Sequence, residues 1–294
     1  MDKPFNLALL GYGYVGRVFH APLIGATPGL ALHAVVSSQP EAVRADLPAV
    51  RVSADRAAVL ADPQVDAVVI ATPNQTHAPI AREALAAGKH VLVDKPFTVT
   101  SAEARRLVAA AATAGRVISV FQNRRWDADF LTVRRLLDEG RLGEIAEFHS
   151  HFDRHRPQVR DRWRESDVPG GGLWFDLGPH LLDQALQLFG PPDAVQADIA
   201  RQRAGARSDD YFDVTLHYPA LRAVLHAGSL VADNRLRFAV HGTRGSFVKH
   251  GLDTQEDMLR AGRRPGGANW GVDPSPGALT QLDEAGASAA ARSE

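Results

Sequence analysis

Lys95 stands where an apolar β-type run, Val91-Leu92-Val93-Asp94, meets Pro96-Phe97, and a lysine at such an edge is placed for chemistry. Asp176 and His180 lie four residues apart in Asp176-Leu177-Gly178-Pro179-His180, so an acid and an imidazole can share one helix face. Moving a hydride from an alcohol carbon also requires removing the hydroxyl proton. That step needs a base of near-neutral pKa and a cation for the developing alkoxide. An imidazole, with pKa near ~6.5, suits the first task, and a neighbouring ammonium would help keep it neutral. His180 and Lys95 are therefore the candidate base and cation, with Asp176 orienting the imidazole or accepting a substrate hydroxyl. Each has a plainer reading alone: a helix N-cap for Asp176, a surface lysine before a turn, a satisfied helix histidine. Their joint presence favours chemistry.

Gly11-Tyr12-Gly13-Tyr14-Val15-Gly16 follows a strand-type run and opens a helix-type run, the setting that makes this spacing a dinucleotide fingerprint. Gly11 allows the tight turn, Gly13 lets the backbone approach a pyrophosphate, and Gly16 lets helix and strand pack closely. The helix N-terminus adds N–H groups and a positive dipole. A carboxylate that grips the ribose diol usually follows about 20 residues later. Here the second strand ends Val36-Ser37-Ser38-Gln39. Ser37 and Ser38 tolerate a diol or a 2′-phosphate, and Arg44 could reach a phosphate, although a solvated helix residue is its plainer reading. NAD and NADP both stay open. Thr72-Pro73-Asn74-Gln75-Thr76-His77 falls at the carboxyl edge of the fourth strand, where ligands of open α/β sheets bind. Thr76 also reads there as an N-cap.

These residues need a frame. From Phe5 to about Gln122 short β-type runs alternate with helical ones, which predicts a doubly wound parallel sheet. The strands are Asn6 to Leu10, Ala31 to Ser37, Ala49 to Val52, Ala67 to Ala71, Val91 to Val93 and Val117 to Phe121. The helical runs 77–87 and 102–114 are each followed by a glycine, Gly88 and Gly115, suited to the C′ position. Beyond Asn123 a helical pattern from Asp127 to Glu139 leads to a strand from Ile145 to Phe152, and a helix is expected from about Pro179 to Phe189. Ala194 to Arg203, Tyr211 to Tyr218, Arg222 to Leu230 and Leu236 to His241 read as strands of a mostly antiparallel sheet. The expected domains are 1–122 for the dinucleotide and 123–294 for substrate and oligomerisation. From Gly251 the chain is rich in Gly, Pro and charge, and its alanine-rich end, Ala285 to Arg292, is too short for a stable helix alone.

Composition narrows the class. The 294 residues, 45% hydrophobic and 23% charged, suit a globular protein of two domains rather than a disordered or membrane one. No apolar run reaches the ~20 residues of a membrane span, and no signal-peptide pattern is present, so a cytoplasmic enzyme is expected. Absence of cysteine excludes disulfides, thiolate catalysis and zinc–thiolate sites. A net charge of -1 gives no global field for nucleic acid or an acidic membrane. The basic run from Arg154 to Arg164 therefore reads as a loop lining a polar substrate pocket or packing on cofactor, or as a solvated surface loop. His149, His151 and Asp153 share one strand face and could mimic a metal site, but alternation alone often makes such rows, and no metal is expected.

The chain resembles the Gfo/Idh/MocA oxidoreductases from about residue 5 to about 280. The resemblance rests on GYGYVG, ATPNQTH, VDKPF (a variant of Glu-Lys-Pro with Asp94 first) and the Asp-x-Gly-x-His of Asp176 to His180. FHAPLI, QNRRWDADFLTV, HFDRHRPQVRDRW and GLDTQEDML look more narrowly like the scyllo-inositol dehydrogenase subgroup. The resemblance implies a Rossmann domain plus an α+β domain whose large open sheet commonly forms a dimer or tetramer interface. It implies NAD(P)-linked oxidation of a cyclic polyol or sugar, with Lys95, Asp176 and His180 catalytic. Cofactor contacts are implied at Gly11 to Gly16, Ser37, Ser38, Thr72, Pro73, Asn74, His77, Asp94, Lys95, Asn123 and Trp163, with Arg124 and Arg125 nearby. Relatives continue well past Thr280 with helices that pack on the nucleotide domain, and these are expected to be missing here. The competing expectations are a nicotinamide-dinucleotide sensor without catalysis, an inactive shortened member of the family and, more weakly, a metal-assisted sugar enzyme.

Overall fold

The computed structural model describes residues 3–282 and 292–293. The chain divides into two compact units, residues 1–121 with Gln255–Trp270, and residues 122–254 with 271–294.

In the first unit the strands are β1 (Phe5–Leu10), β2 (Leu30–Val36), β3 (Arg51–Ser53), β4 (Ala67–Ile70), β5 (His90–Val93) and β6 (Ile118–Val120). All pair in parallel, in the order β3-β2-β1-β4-β5-β6. The helices are α1 (Ala21–Ala26, after a π-helical turn Gly16–His20), α2 (Pro40–Asp46), α3 (Arg56–Leu60), α4 (His77–Ala86) and α5 (Ser101–Ala114). β4 is buried along its whole length, as its unbroken apolar run requires of a strand covered on both faces. Helix α5 opens with a complete Thr100/Glu103 capping box and closes on Gly115 at φ 60°. Because β1 lies between β2 and β4, the strand order reverses there. The carboxyl ends of β1 and β4, carrying the fingerprint and the Thr72 turn, therefore flank the crevice where open α/β sheets bind ligands.

In the second unit α6 (Ala128–Asp138) and α7 (Leu173–Phe189) accompany β7 (Ile145–His151), β8 (Ala194–Ala200), β9 (Tyr211–His217), β10 (Arg222–Gly228), β11 (Leu236–Gly242), β12 (Gly245–His250), β13 (Ala278–Gln281) and β14 (Arg292–Ser293). The sheet order is β14-β13-β12-β11-β7-β10-β9-β8, antiparallel except for β7 with β10. Strand alternation sends Phe148, Phe212, Phe238 and Phe247 into one core with Phe130, Val133, Leu177 and Leu181 of the two helices. Glu147, His149 and His151 therefore point to the opposite, open face. Inside the core side Arg237 is wholly buried, donating to Asp129 at 3.1 Å, Ser150 at 2.9 Å and Gln184 at 2.7 Å.

Three expectations change. Helix α7 begins at Leu173 instead of near Pro179, because Asp209 supplies acceptors for the first amides: its carbonyl takes Leu173 N–H at 2.9 Å and its carboxylate Trp174 N–H at 2.6 Å. Pro179 sits inside the helix. The segment after Gly251 forms α8 (Gln255–Arg260) and β13, and residues 255–270 join the first unit instead of the 123–294 stretch. One reason is visible in Tyr14, whose hydroxyl donates to Glu256 at 2.8 Å. The alanine-rich end lies almost wholly in 283–291, outside the described residues. No described helix is long and apolar enough to cross a membrane.

Candidate dinucleotide and proton-transfer site

The fingerprint glycines have unequal tasks. A Cβ on Gly11, at φ 99°, would overlap the Ala71 carbonyl, and one on Gly16 would overlap the Gly11 carbonyl. Both are demanded by the close passage of strand, turn and helix. A Cβ on Gly13 would meet nothing within 4 Å, so this position keeps space open on the side from which a pyrophosphate would approach. A cavity of about 1010 Å³ opens beside it, bordered by Tyr12, Gly13, Tyr14, Arg17, Gln39 and Arg264. That is the scale of small-molecule sites, roughly 300–1,000 Å³. The residues present thus fit a dinucleotide. Val15 is the N-cap of the π-helical turn. Burial, with the Asp46 hydrogen bond, pushes the Tyr12 phenol up to about 12, and burial with Glu256 does the same for Tyr14, so neither serves as a base near neutrality.

At the end of β2, Ser37 is buried and its hydroxyl accepts Gln39 N–H at 3.0 Å, while Ser38 is exposed. Arg44 is exposed and pairs with Glu41 at 2.7 Å, matching the solvated reading. At the end of β4, Thr76 does not cap α4 with its side chain. Its hydroxyl donates to Pro73 O at 2.6 Å and accepts from Thr72 at 2.6 Å, which closes the turn on itself. Asn74 within that turn is buried. His77 joins this turn to the one that carries Lys95. Its Nδ1 lies 2.8 Å from Pro96 O and its Nε2 2.9 Å from Thr72 O, and the side chain is completely buried. Two carbonyls from separate loops thus meet on one imidazole, which ties the Lys95–Pro96 peptide, cis in this fold, to the Thr72 turn. Asp94 is buried just before Lys95, and its amide donates to Ile70 O at 2.9 Å. Near it sits His20, a residue the sequence reading did not single out. Its ring packs on Phe121 at 4.3 Å between centroids, and its Nε2 is 3.9 Å from Asp94 Oδ1. Burial holds its pKa below the usual histidine value, against the opposing pull of Asp94.

In the second unit Asp176 lies in the first turn of α7 and His180 one turn on, so the predicted shared face exists. The N-cap is Gly172 and not Asp176. Two arginines of the basic run converge on the Asp176 carboxylate, Arg154 at 3.3 Å and Arg164 at 3.7 Å. Gly178 is required for a local reason: a Cβ there would run into the Trp174 indole, which folds back along the helix and meets Phe212 edge-on at 5.1 Å. His180 is buried. Trp163 opens a 3-10 turn, Trp163–Glu165, with the Arg164 guanidinium 4.6 Å over its ring. Elsewhere in the basic run Arg162 pairs with Glu165 at 2.7 Å, and outside it Arg203 pairs with Glu165 at 3.0 Å and Asp210 at 2.8 Å. Asn123 opens the 3-10 turn Asn123–Trp126. Arg124 and Arg125 pair with Asp127 at 3.0 Å and Asp183 at 2.5 Å.

Comparison with known proteins agrees with this geometry. Residues 5–122 match the family model described as an oxidoreductase family with an NAD-binding Rossmann fold, and residues 130–248 match the GFO/IDH/MocA C-terminal domain. The chain is 54% identical over 283 residues to the uncharacterized oxidoreductase YdgJ of Escherichia coli, covering 96% of this chain and 82% of that protein. It is 42% identical over 268 residues to scyllo-inositol 2-dehydrogenase (NADP(+)) IolW of Bacillus subtilis, covering 91% and 75%. Among solved structures, an oxidoreductase from Bacillus cereus superimposes with a TM-score of 0.89 at 33% identity, covering 99% of this chain and 84% of that one.

Proposed function

Because this chain belongs to the GFO/IDH/MocA family of NAD-binding oxidoreductases, we propose that it oxidises a CH–OH group of a cyclic polyol or sugar, with an inositol as substrate. The observation that carries this reading is the His77 clasp, which ties the Lys95 turn to the Thr72 turn at the carboxyl edge. The 42% identity to a scyllo-inositol dehydrogenase favours an inositol over other polyols.

NAD or NADP, when bound, supplies the nicotinamide that accepts the hydride. Gly11 to Gly16 would hold its pyrophosphate, Ser37 and Ser38 its ribose, and Thr72, Pro73 and Asn74 the edge of the crevice. Asp94, Asn123 and Trp163 belong to the same proposed set of cofactor contacts. Lys95 places its ammonium on the substrate oxygen and stabilises the charge that develops as the proton leaves. His180 takes that proton at a ring nitrogen, and Asp176, held by Arg154 and Arg164, orients the imidazole or receives a second substrate hydroxyl. The proposed partners are a small polyol or sugar and further copies of this chain, with no nucleic acid or membrane.

The test is turnover on scyllo-inositol, myo-inositol and glucose, each with NAD and NADP, followed by absorbance of the reduced nicotinamide. Oxidation of one inositol is expected. Dinucleotide binding with silence across the panel would replace this reading with that of a sensor. In Lys95→Met, dinucleotide binding should persist while turnover falls by at least ~100-fold; undiminished turnover would reject the assignment of Lys95.

A further inference from the structure

The open face of the second sheet carries a group of side chains that the dehydrogenase reading leaves without a task. Strands β7 and β10 run parallel with His151 opposite His226. Asp153 follows His151 by two residues, so alternation returns its side chain to the same face. Register thus becomes a cluster: one nitrogen or oxygen from each of His151, Asp153 and His226 lies within 4.8 Å of the others. Asp153 Oδ2 is 3.1 Å from His151 Nδ1 and Oδ1 is 2.9 Å from His226 Nδ1. Oδ1 also accepts Gly228 N–H at 2.9 Å, which anchors the carboxylate. His226 Nδ1 is closed off from solvent and faces the Asp153 carboxylate.

We infer that His151, Asp153 and His226 form a divalent-cation site of zinc type, with two imidazole nitrogens, one carboxylate oxygen and a fourth position open to water. Imidazole and carboxylate are zinc donors, and bonds of about 2.0–2.2 Å at tetrahedral angles set neighbouring ligand atoms about 3.3 Å apart. The observed 3.1 and 2.9 Å run to different oxygens of the carboxylate, Oδ2 and Oδ1, and the three donors lie within 4.8 Å of one another, so ligation through one oxygen takes a rotation of the side chains towards that value. Tyr211 packs its ring edge on His226 at 5.4 Å, and Asp213 opposes His226 in register from β9, supplying an outer carboxylate. The row legible in the sequence, His149-His151-Asp153, is a different set. His149 pairs with Glu147 at 3.3 Å, and the third donor comes from a strand 75 positions beyond His151 in sequence, at His226.

The test reads metal alone, so it is independent of any dehydrogenase activity. The full chain is stripped with a chelator, titrated with ZnCl2 by calorimetry, and its retained zinc counted after gel filtration. About one zinc per chain is expected, with affinity lowered at least ~10-fold in His226→Gln and in Asp153→Asn. His149→Ala and His241→Ala should leave the stoichiometry unchanged. If Asp153→Asn fails to fold by circular dichroism, His226→Gln decides. Co2+ in place of Zn2+ should give the intense visible bands of four-coordinate geometry. Retention well below one zinc, weak octahedral bands, or an equal loss in His149→Ala, which marks adventitious binding to surface imidazoles, would overturn the site.

Discussion

Gly13 and Gly16 stand three residues apart in one turn, yet their substitution should fail in opposite ways. A methyl on Gly13 enters open space, so Gly13→Ala should unfold within ~0.5 kcal/mol of the parent while losing dinucleotide affinity. A methyl on Gly16 enters the Gly11 carbonyl, so Gly16→Ala should cost ~1–3 kcal/mol of stability. Urea unfolding beside a dinucleotide titration separates the two, and a stability loss in Gly13→Ala equal to that in Gly16→Ala would refute the division of labour. His77 offers a third test at this scale. His77→Leu takes the imidazole from the Pro96 and Thr72 carbonyls in a buried place, and a loss of ~1–3 kcal/mol is expected in the same unfolding assay. An unchanged midpoint would show that the clasp is incidental. The glycine fingerprint was legible because its spacing is local and its physical reason is local. His20 and the two arginines on Asp176 were not, since each acquires its meaning from a partner far along the chain.

Elements follow the same logic of near and far signals. The central strands β1 and β4 were readable because burial on both faces leaves apolar runs with little else to be, whereas the edge strands β3 and β6 are only partly buried. The start of α7 was not readable, because its cap is Asp209, which lies 35 residues beyond Trp174, and Pro179 offered a nearer but misleading start signal. Strands β12 and β13 were passed over for a similar reason: β13 is four residues long and gains its identity by pairing Leu279 with Phe247. The capping geometry makes a sharp prediction. Gly172 adopts φ 96°, and a Cβ there would collide with the Asp209 carboxylate. Gly172→Ala should therefore lose the cap and ~1–3 kcal/mol, seen as a lower thermal midpoint, whereas Gly190→Ala, with open space around it at the other end of α7, should lose less. Equal losses would mean that backbone conformation alone, and not the cap, sets the cost.

For the molecule as a whole, the charge inside the second unit and the route of the chain have consequences that no single element shows. Asp127, Asp129 and Asp253 face the guanidiniums of Arg124 and Arg237, three carboxyl groups against two cations. Burial first, and then the neighbouring carboxylates, raise Asp127 from the ordinary carboxylate value to about 7, against the pull of Arg124. A carboxyl whose folded pKa lies above its unfolded one stabilises the fold at low pH and gives up that contribution as pH rises through the interval between them. Stability should therefore decline between pH ~4 and ~7, and Asp127→Asn should flatten that decline. Urea midpoints for both proteins across this range check it, and parallel curves would reject the assignment. The chain's route brings residues 255–270 back to a unit whose other members end at Phe121. During synthesis the first unit must therefore wait on the order of ten seconds, at ~5–20 residues per second, before Glu256 reaches Tyr14. The nascent nucleotide-binding half thus leaves the ribosome unfinished, and its completion is timed by the translation of the other half.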